Sequence, residues 1–367
     1  MTRERGARRP GRVLTALLCA VTAAGLYGCS DPGAPEPAPT PTPAPTTPAP
    51  ATTTPAPSTT APARTGLSPF TGLPARSGPV LAVKIDNVAA ARPHTGLGAA
   101  DLVYVEQVEG GTTRLLAVYS SRLPERVGPV RSARESDMEL LGVFGRPALA
   151  YSGAQSALNP LLSAAPLDPV TEATRPGAFL RSPDRAAPHN LYLRPARALA
   201  AVPEPQDARD IGFRFGPAPA GGTAVGSETV RYPAARYTFT WSAPDRTWRV
   251  AMDGRAARAT DTGPLAPSTV VVQRVAIRSS RFHDVTGAVS PYTETVGSGT
   301  ALVLRDGRAY EARWSRTSPT SGTTFTTPGG EPLAFAPCPG WGVLDRRTCG
   351  GGGWVGPRRG FAGAGAG

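Results

Sequence analysis

The chain has 367 residues, with 39 Lys and Arg against 27 Asp and Glu, a formal charge of +12, and 42 residues each of Gly and Pro. That length is enough for two domains with real cores. The charge does not argue for nucleic acid: the arginines are scattered rather than striped, Lys84 is the only lysine, and removing residues 1–28 takes away five Arg and Glu4. The remainder carries +8, dispersed along the chain, and no nucleic-acid partner is expected.

Arg3, Arg5, Arg8, Arg9 and Arg12 precede an apolar stretch, Val13 to Leu26, that is short for a permanent membrane span. It closes on Leu26-Tyr27-Gly28-Cys29, which resembles a lipobox: an aliphatic residue, then a small residue before a thiol that can carry a diacylglyceryl group. Residues 1–28 are thus expected to be a lipoprotein signal peptide, with Cys29 as the lipidation site and the body on the outer face of the cytoplasmic membrane. Two or three acyl chains give a lasting tether at about 0.8 kcal/mol per buried methylene. Residues 29–66, nearly all Pro, Thr, Ala and Ser, read as a disordered stalk. In an extended state of roughly 3 Å per residue it would reach about 100 Å. Cys19 leaves with the signal peptide, and neither Cys338 nor Cys349 has neighbours at zinc-ligand spacing, so no metal and no cofactor is expected.

From Gly66 onward the pattern is that of an α+β protein: a mixed α/β N-terminal domain, 67–205, followed by a smaller mostly-β domain, 226–337. In the first, Val80 to Ile85, Asp101 to Val108, Arg114 to Ser120 and Ala148 to Tyr151 read as strands. Arg134 to Phe144 carries Met138, Leu141 and Phe144 at helical spacing, and Gln155 to Ser163 and Pro195 to Ala201 read as short helices. In the second, strands are expected at Tyr237 to Trp241, Trp248 to Met252, Thr269 to Ile277, Thr293 to Val296, Ala301 to Leu304 and Ala309 to Trp314. Asp253-Gly254 and Asp306-Gly307 are the turn signals between them. Leu333 to Pro337 reads as a last strand. Residues 338–367 are Gly-rich, with Arg346-Arg347 and Arg358-Arg359 and no period, and look like a frameshifted tail.

The first half sets polar residues densely among Gly and Pro: Lys84-Ile85-Asp86-Asn87, Glu106, Glu109-Gly110-Gly111, Arg114, Pro129 to Arg134, Asp137 and Pro188-His189-Asn190. In this order and spacing the chain resembles the YerB-like bacterial lipoprotein family, from about Pro69 to Pro337. The run ending at Arg114 and the run Val127 to Arg134 are the most specific stretches. The resemblance implies an envelope lipoprotein with N- and C-terminal parts; it implies no reaction, cofactor or catalytic residue.

Two readings of the residues stay open. In one, Arg131 and Arg134, three apart, share a helix face if the helix begins by Arg131, and with Arg114 and Lys84 grip an anionic envelope component or partner protein. In the other, Glu106, Glu109 and Asp137, with His189, supply the acid and base of a cell-wall glycan hydrolase. Against the second, Glu106 and Glu109 differ by an odd number and point to opposite faces of a regular strand. Against both, the arginines can pair internally with the same carboxylates. A Ser132–His189–Asp137 triad lacks the Gly-x-Ser-x-Gly elbow, and His94 and His283 read as loop residues.

Overall fold

The alternation of Leu81, Val83 and Ile85 with Ala82, Lys84 and Asp86 makes a strand with two different faces. That strand, Leu81–Asp86, lies in an eleven-stranded sheet. The structure is a computed structural model and describes residues 65–76 and 78–347; Cys29, nearly all of the stalk, Cys349 and the end of the Gly-rich tail lie outside the described residues. Among the described residues no helix is long and apolar enough to cross a membrane.

In space the sheet runs Thr223–Ala224, Arg308–Arg316, Gly297–Arg305, Thr269–Val275, Gly340–Arg346, Leu102–Gln107, Thr113–Tyr119, Leu81–Asp86, Ala148–Ala150 and Asp168–Val170, with Thr324–Thr326 also on Arg308–Arg316. One face carries Val83, Val105 and Val272 and packs against Tyr237, Phe239 and Trp248. These three belong to an antiparallel sheet of Ser227–Tyr232, Ala235–Ser242, Thr247–Met252 and Arg255–Ala256. The opposite face carries Ala82, Leu116 and Val303 and is covered by Leu140, Leu141 and Phe144. Taken whole, the described chain is mostly strand, with all of its described helical segments in the first half. Its helices are short, the longest described being Glu135–Leu141 with seven residues.

Both turn signals form as expected, with Asp253 at φ 54°, Gly254 at 81°, Asp306 at 51° and Gly307 at 71°. Two consecutive left-handed residues match the twist of a two-residue hairpin, and an Asp-Gly pair supplies them at low cost. Other boundaries differ. Thr269 to Ile277 divides, so that Thr269–Val275 stays in the large sheet while Ile277–His283 turns back on Val289–Thr293 as a separate hairpin. The strand expected from Thr293 to Val296 therefore ends where it was to begin. Leu333 to Pro337 makes a single isolated bridge, from Phe335 to Phe215.

The largest correction concerns the tail expected from 338. Gly340–Arg346 is an interior strand, parallel to Thr269–Val275 on one side and to Leu102–Gln107 on the other. It joins the strands of the first half to those of the second. Trp341 and Val343 face one core and Leu344 the other, an alternation that the surrounding glycines conceal in the sequence. Gly342 is required by packing, since a Cβ there would lie 2.9 Å from the Tyr104 ring. Losing this strand strips each of two neighbours of one of its two ladders and exposes three buried apolar side chains, each worth about 1.5–3 kcal/mol. A chain stopped after Pro339 should show no cooperative thermal transition by circular dichroism; a wild-type melting curve from that truncation is the contrary outcome.

Candidate functional site

Register places four ionisable residues on one face at the ends of three adjacent strands. Arg114 lies opposite both Asp86 and Glu106, and Lys84 is two residues from Asp86. Residues directly opposite or two apart share a face, so Lys84, Asp86, Glu106 and Arg114 form one polar cluster against the helix Glu135–Leu141. Lys84 is fully buried. Its Nζ lies 2.8 Å from Glu106 Oε2 and 2.6 Å from Asp137 Oδ1. Burial pushes the Glu106 carboxyl up to about 7, with the Lys84 ammonium opposing and the Asp137 carboxylate adding to the rise.

Asp137 sits at the third position of the helix, where its Oδ2 accepts the Arg134 backbone N–H at 2.7 Å. The helix begins at Glu135, so Arg131 and Arg134 do not share a helical face; Arg134 is the N-cap in extended conformation. Its guanidinium forks onto Glu109, with Nε and Nη2 each 2.6 Å from a carboxylate oxygen. The Ser290 hydroxyl donates to the same carboxylate. Burial works to raise the Glu109 carboxyl, but the Arg134 fork and Ser290 outweigh it and hold the group below the usual range. Glu109 lies in the 3₁₀ turn Glu109–Gly111, after the strand has ended at Gln107, so strand parity does not govern it.

Asp86 is the second hub. Its Oδ2 is 2.8 Å from His189 Nδ1 and 3.3 Å from Arg131 Nε, and its main-chain oxygen accepts Nε2–H of His94 at 2.9 Å. Burial lowers the His94 pKa to about 4, which keeps the ring neutral at physiological pH.

Arg114, Arg131, Arg134, Glu135, Gln155 and His283 line a cleft of about 320 Å³ whose far wall is the hairpin Ile277–His283 and Val289–Thr293. Arg131 is 29% exposed there. Arg114 is nearly buried, yet among the described residues its hydrogen bond is Nη1–H to the Ser132 carbonyl at 2.9 Å, and no carboxylate lies within ion-pair distance. Burial and the neighbouring Arg134 charge lower its pKa to about 10, which leaves it charged at neutral pH.

Of the residues singled out in the sequence, Arg114, Arg131 and Arg134 meet at the cleft and Lys84 does not, because its ammonium is enclosed by two carboxylates. Glu106 and Asp137 meet, but on Lys84 and beneath the surface, while Glu109 is taken by Arg134. No pair of these carboxylates faces an open groove. Ser132 gives its carbonyl to Arg114, His189 holds Asp86 and Asp137 holds Lys84, so the three do not form a triad. Sequence reasoning missed the hairpin wall, the role of His94, and Arg316. That buried guanidinium donates to the carbonyls of Glu139 and Pro319 near the end of the helix.

Over residues 65–208 the chain matches the model for the N-terminal domain of a protein family of unknown function (DUF3048), and over 228–341 the model for its C-terminal domain. A relative named "Putative lipoprotein YerB", from Bacillus subtilis (strain 168), is 38% identical over 113 residues, 30% of this chain and 34% of that protein. That match spans about a third of the relative's length. The crystal structure of YerB protein from Bacillus subtilis is similar over 76% of this chain and 95% of the other, with a TM-score of 0.63 and 22% identity, a likeness of fold.

The His94 geometry has a pH consequence. Its folded pKa, about 4, is below the ordinary 6.5, so its contribution to stability is complete above about 6.5 and is lost as pH falls toward 4. The loss is on the order of 3 kcal/mol at 1.36 kcal/mol per pKa unit. Glu106, shifted upward, works in the opposite direction across an overlapping window. The difference between wild type and His94→Gln isolates the histidine, since glutamine can donate to the Asp86 carbonyl without titrating. Denaturant midpoints of the two proteins should converge as pH falls from 7 to 4.5, and a constant gap between them contradicts the assignment.

Proposed function

This chain belongs to the DUF3048 family of proteins of unknown function, and from that premise we propose a lipid-anchored envelope protein that binds anionic groups of a cell-wall component or partner protein in the Arg114 cleft. The single observation that carries the binding reading is Arg114, a nearly buried guanidinium with no carboxylate in ion-pair distance among the described residues, opening with Arg131 on a cleft of about 320 Å³. A desolvated arginine in a protein is ordinarily paired, and a charge-assisted pair contributes about 1.5–3 kcal/mol. An external carboxylate or phosphate would supply the missing partner. Glu135 and Asp284 on the same lining favour a ligand that is small or carries its charge at one end. The anchor rests on the Gly28-Cys29 junction and on the likeness to a relative named as a lipoprotein.

Three variants test these readings. Fluorescently labelled muropeptides with free carboxylates, titrated against wild type and Arg131→Ala, should bind the variant about tenfold or more weakly with little change in melting temperature, because one charge-assisted pair is lost at an exposed position. Arg134→Ala, which leaves Glu109 buried without its fork, should instead lose about 3–5 kcal/mol of stability with or without muropeptide. Equal binding by wild type and Arg131→Ala removes the cleft from consideration. For the anchor, Cys29→Ser should move the protein from the membrane pellet to the soluble fraction, and unchanged membrane retention argues against lipidation at Cys29.

A further inference from the structure

The Lys84 cluster has a geometry that goes beyond an ion pair. Lys84 and Asp137 are fully buried and Glu106 nearly so, and the amine nitrogen is within 2.8 Å of one oxygen from each carboxyl group. The two carboxyls are not equivalent. Asp137 is the nearer, and its other oxygen already accepts the Arg134 backbone N–H at 2.7 Å. Among the described residues Glu106 Oε1 is buried with no hydrogen-bond partner. Asp137 is therefore polarised like a carbonyl about to be attacked, while Glu106 has an oxygen free to take up a proton.

We propose that Lys84 and Asp137 condense into an intramolecular amide, with Glu106 as the proton carrier. In the dry cluster the ammonium first passes a proton to Asp137, giving a neutral amine and a neutral carboxylic acid. The Lys84 Nζ lone pair then attacks Cγ of Asp137, forming the N–C bond, and the oxyanion that develops on Oδ2 is held by the Arg134 N–H. Glu106 removes a proton from the nitrogen and delivers it to Oδ1, the C–Oδ1 bond breaks, and water leaves. An ammonium and a carboxylate become an amide and one water, and Glu106 ends as it began. No oxidant, nucleotide or other reactant is consumed.

Two physical features favour the product. Holding amine and acid in contact makes the step intramolecular, equivalent to effective concentrations on the order of 10⁵ M or more, and the enclosed cluster keeps out the water that would reverse it. The product also keeps the existing hydrogen bonds: the amide N–H faces Glu106 Oε2, where Lys84 donates now, and the amide oxygen keeps the Arg134 N–H. The Lys84 and Asp137 charges disappear together, which removes the desolvation cost of that ion pair, and Glu106 keeps the amide N–H as its partner in place of the ammonium. The bond ties the strand Leu81–Asp86 to the first turn of the helix Glu135–Leu141, across 53 positions of sequence.

Peptide mapping of the full chain tests this. Trypsin digestion of the purified, denatured protein should leave Lys84 uncut and give the peptide through Lys84 joined to the peptide that begins at Glu135, lighter than their sum by one water. Lys84→Arg, which keeps the charge but cannot form the amide, and Glu106→Gln, which cannot carry the proton, should both give separate peptides. If either variant fails to fold, the wild-type map still decides. Folded wild type that yields the two peptides unlinked, with cleavage after Lys84, overturns the bond. A linked pair in Glu106→Gln, formed as completely as in wild type after refolding, overturns the role of Glu106.

Discussion

The enclosure of one ammonium group sets the architecture around the cleft. Lys84 points from the sheet into an apolar layer, and a charge there is tolerable only with partners in contact. Glu106 comes from a strand of the same sheet; Asp137 has to be brought by a helix. Placing Asp137 fixes the start of that helix, because the same carboxylate caps the Arg134 N–H. Placing Arg134 fixes Glu109, and Glu109 in turn receives Ser290 from the hairpin of the second half. A seven-residue helix has little stability of its own. This one is held at both ends and along its side: Thr293 N–H donates to Ser136, Thr295 and Val296 N–H to Glu139, and Arg316 reaches the Glu139 carbonyl. The partners on the second-half side lie between Ser280 and Arg316, so the two family regions meet on this helix as well as in the shared sheet.

Much of the first half was legible because its strands are bounded by turns and its polar residues recur at odd or even spacing. Val80 to Ile85 and Asp101 to Val108 differ from the observed strands by one residue at most at each end. The shared facing of Lys84 and Asp86 was also present in principle, since they lie two residues apart on one strand. What the sequence could not supply was register: a shift by one residue in any pairing would have sent Glu106 to the opposite core and left Lys84 with a single carboxylate.

The misreadings have separate physical origins. The strand Gly340–Arg346 was hidden because composition was weighed over a long window, in which glycines outvote a short Trp341, Val343 and Leu344 alternation. Glycine at 342 marks close approach by Tyr104 rather than loss of order. The helix was expected to include Arg134, and its start at Glu135 follows from a carboxylate three residues past the cap, a signal usually sought after Ser or Thr and here following arginine. The strand from Thr269 was carried on to Ile277 because Val275, Ala276 and Ile277 are continuous in apolar character, and the hairpin that begins at Ile277 was not foreseen.

The arginines around the cleft show why residue type alone does not identify a binding site. Arg134, Arg131 and Arg114 lie within a few residues or one register position of each other, yet each has a different electrostatic situation. Arg134 meets a carboxylate that it shares only with the Ser290 hydroxyl and makes a closed fork. Arg131 shares Asp86 with His189 at a longer distance, so part of its hydrogen-bonding capacity stays available. Arg114 stands directly across the ladder from both Asp86 and Glu106, but Asp86 is engaged by His189 and Arg131, and Glu106 turns to Lys84. It is left without an acid because the carboxylates opposite it on the ladder are drawn elsewhere. Lys84, His189, Arg131 and Arg134 divide the surrounding carboxylates among themselves, and that division leaves the Arg114 charge without an acid at the cleft.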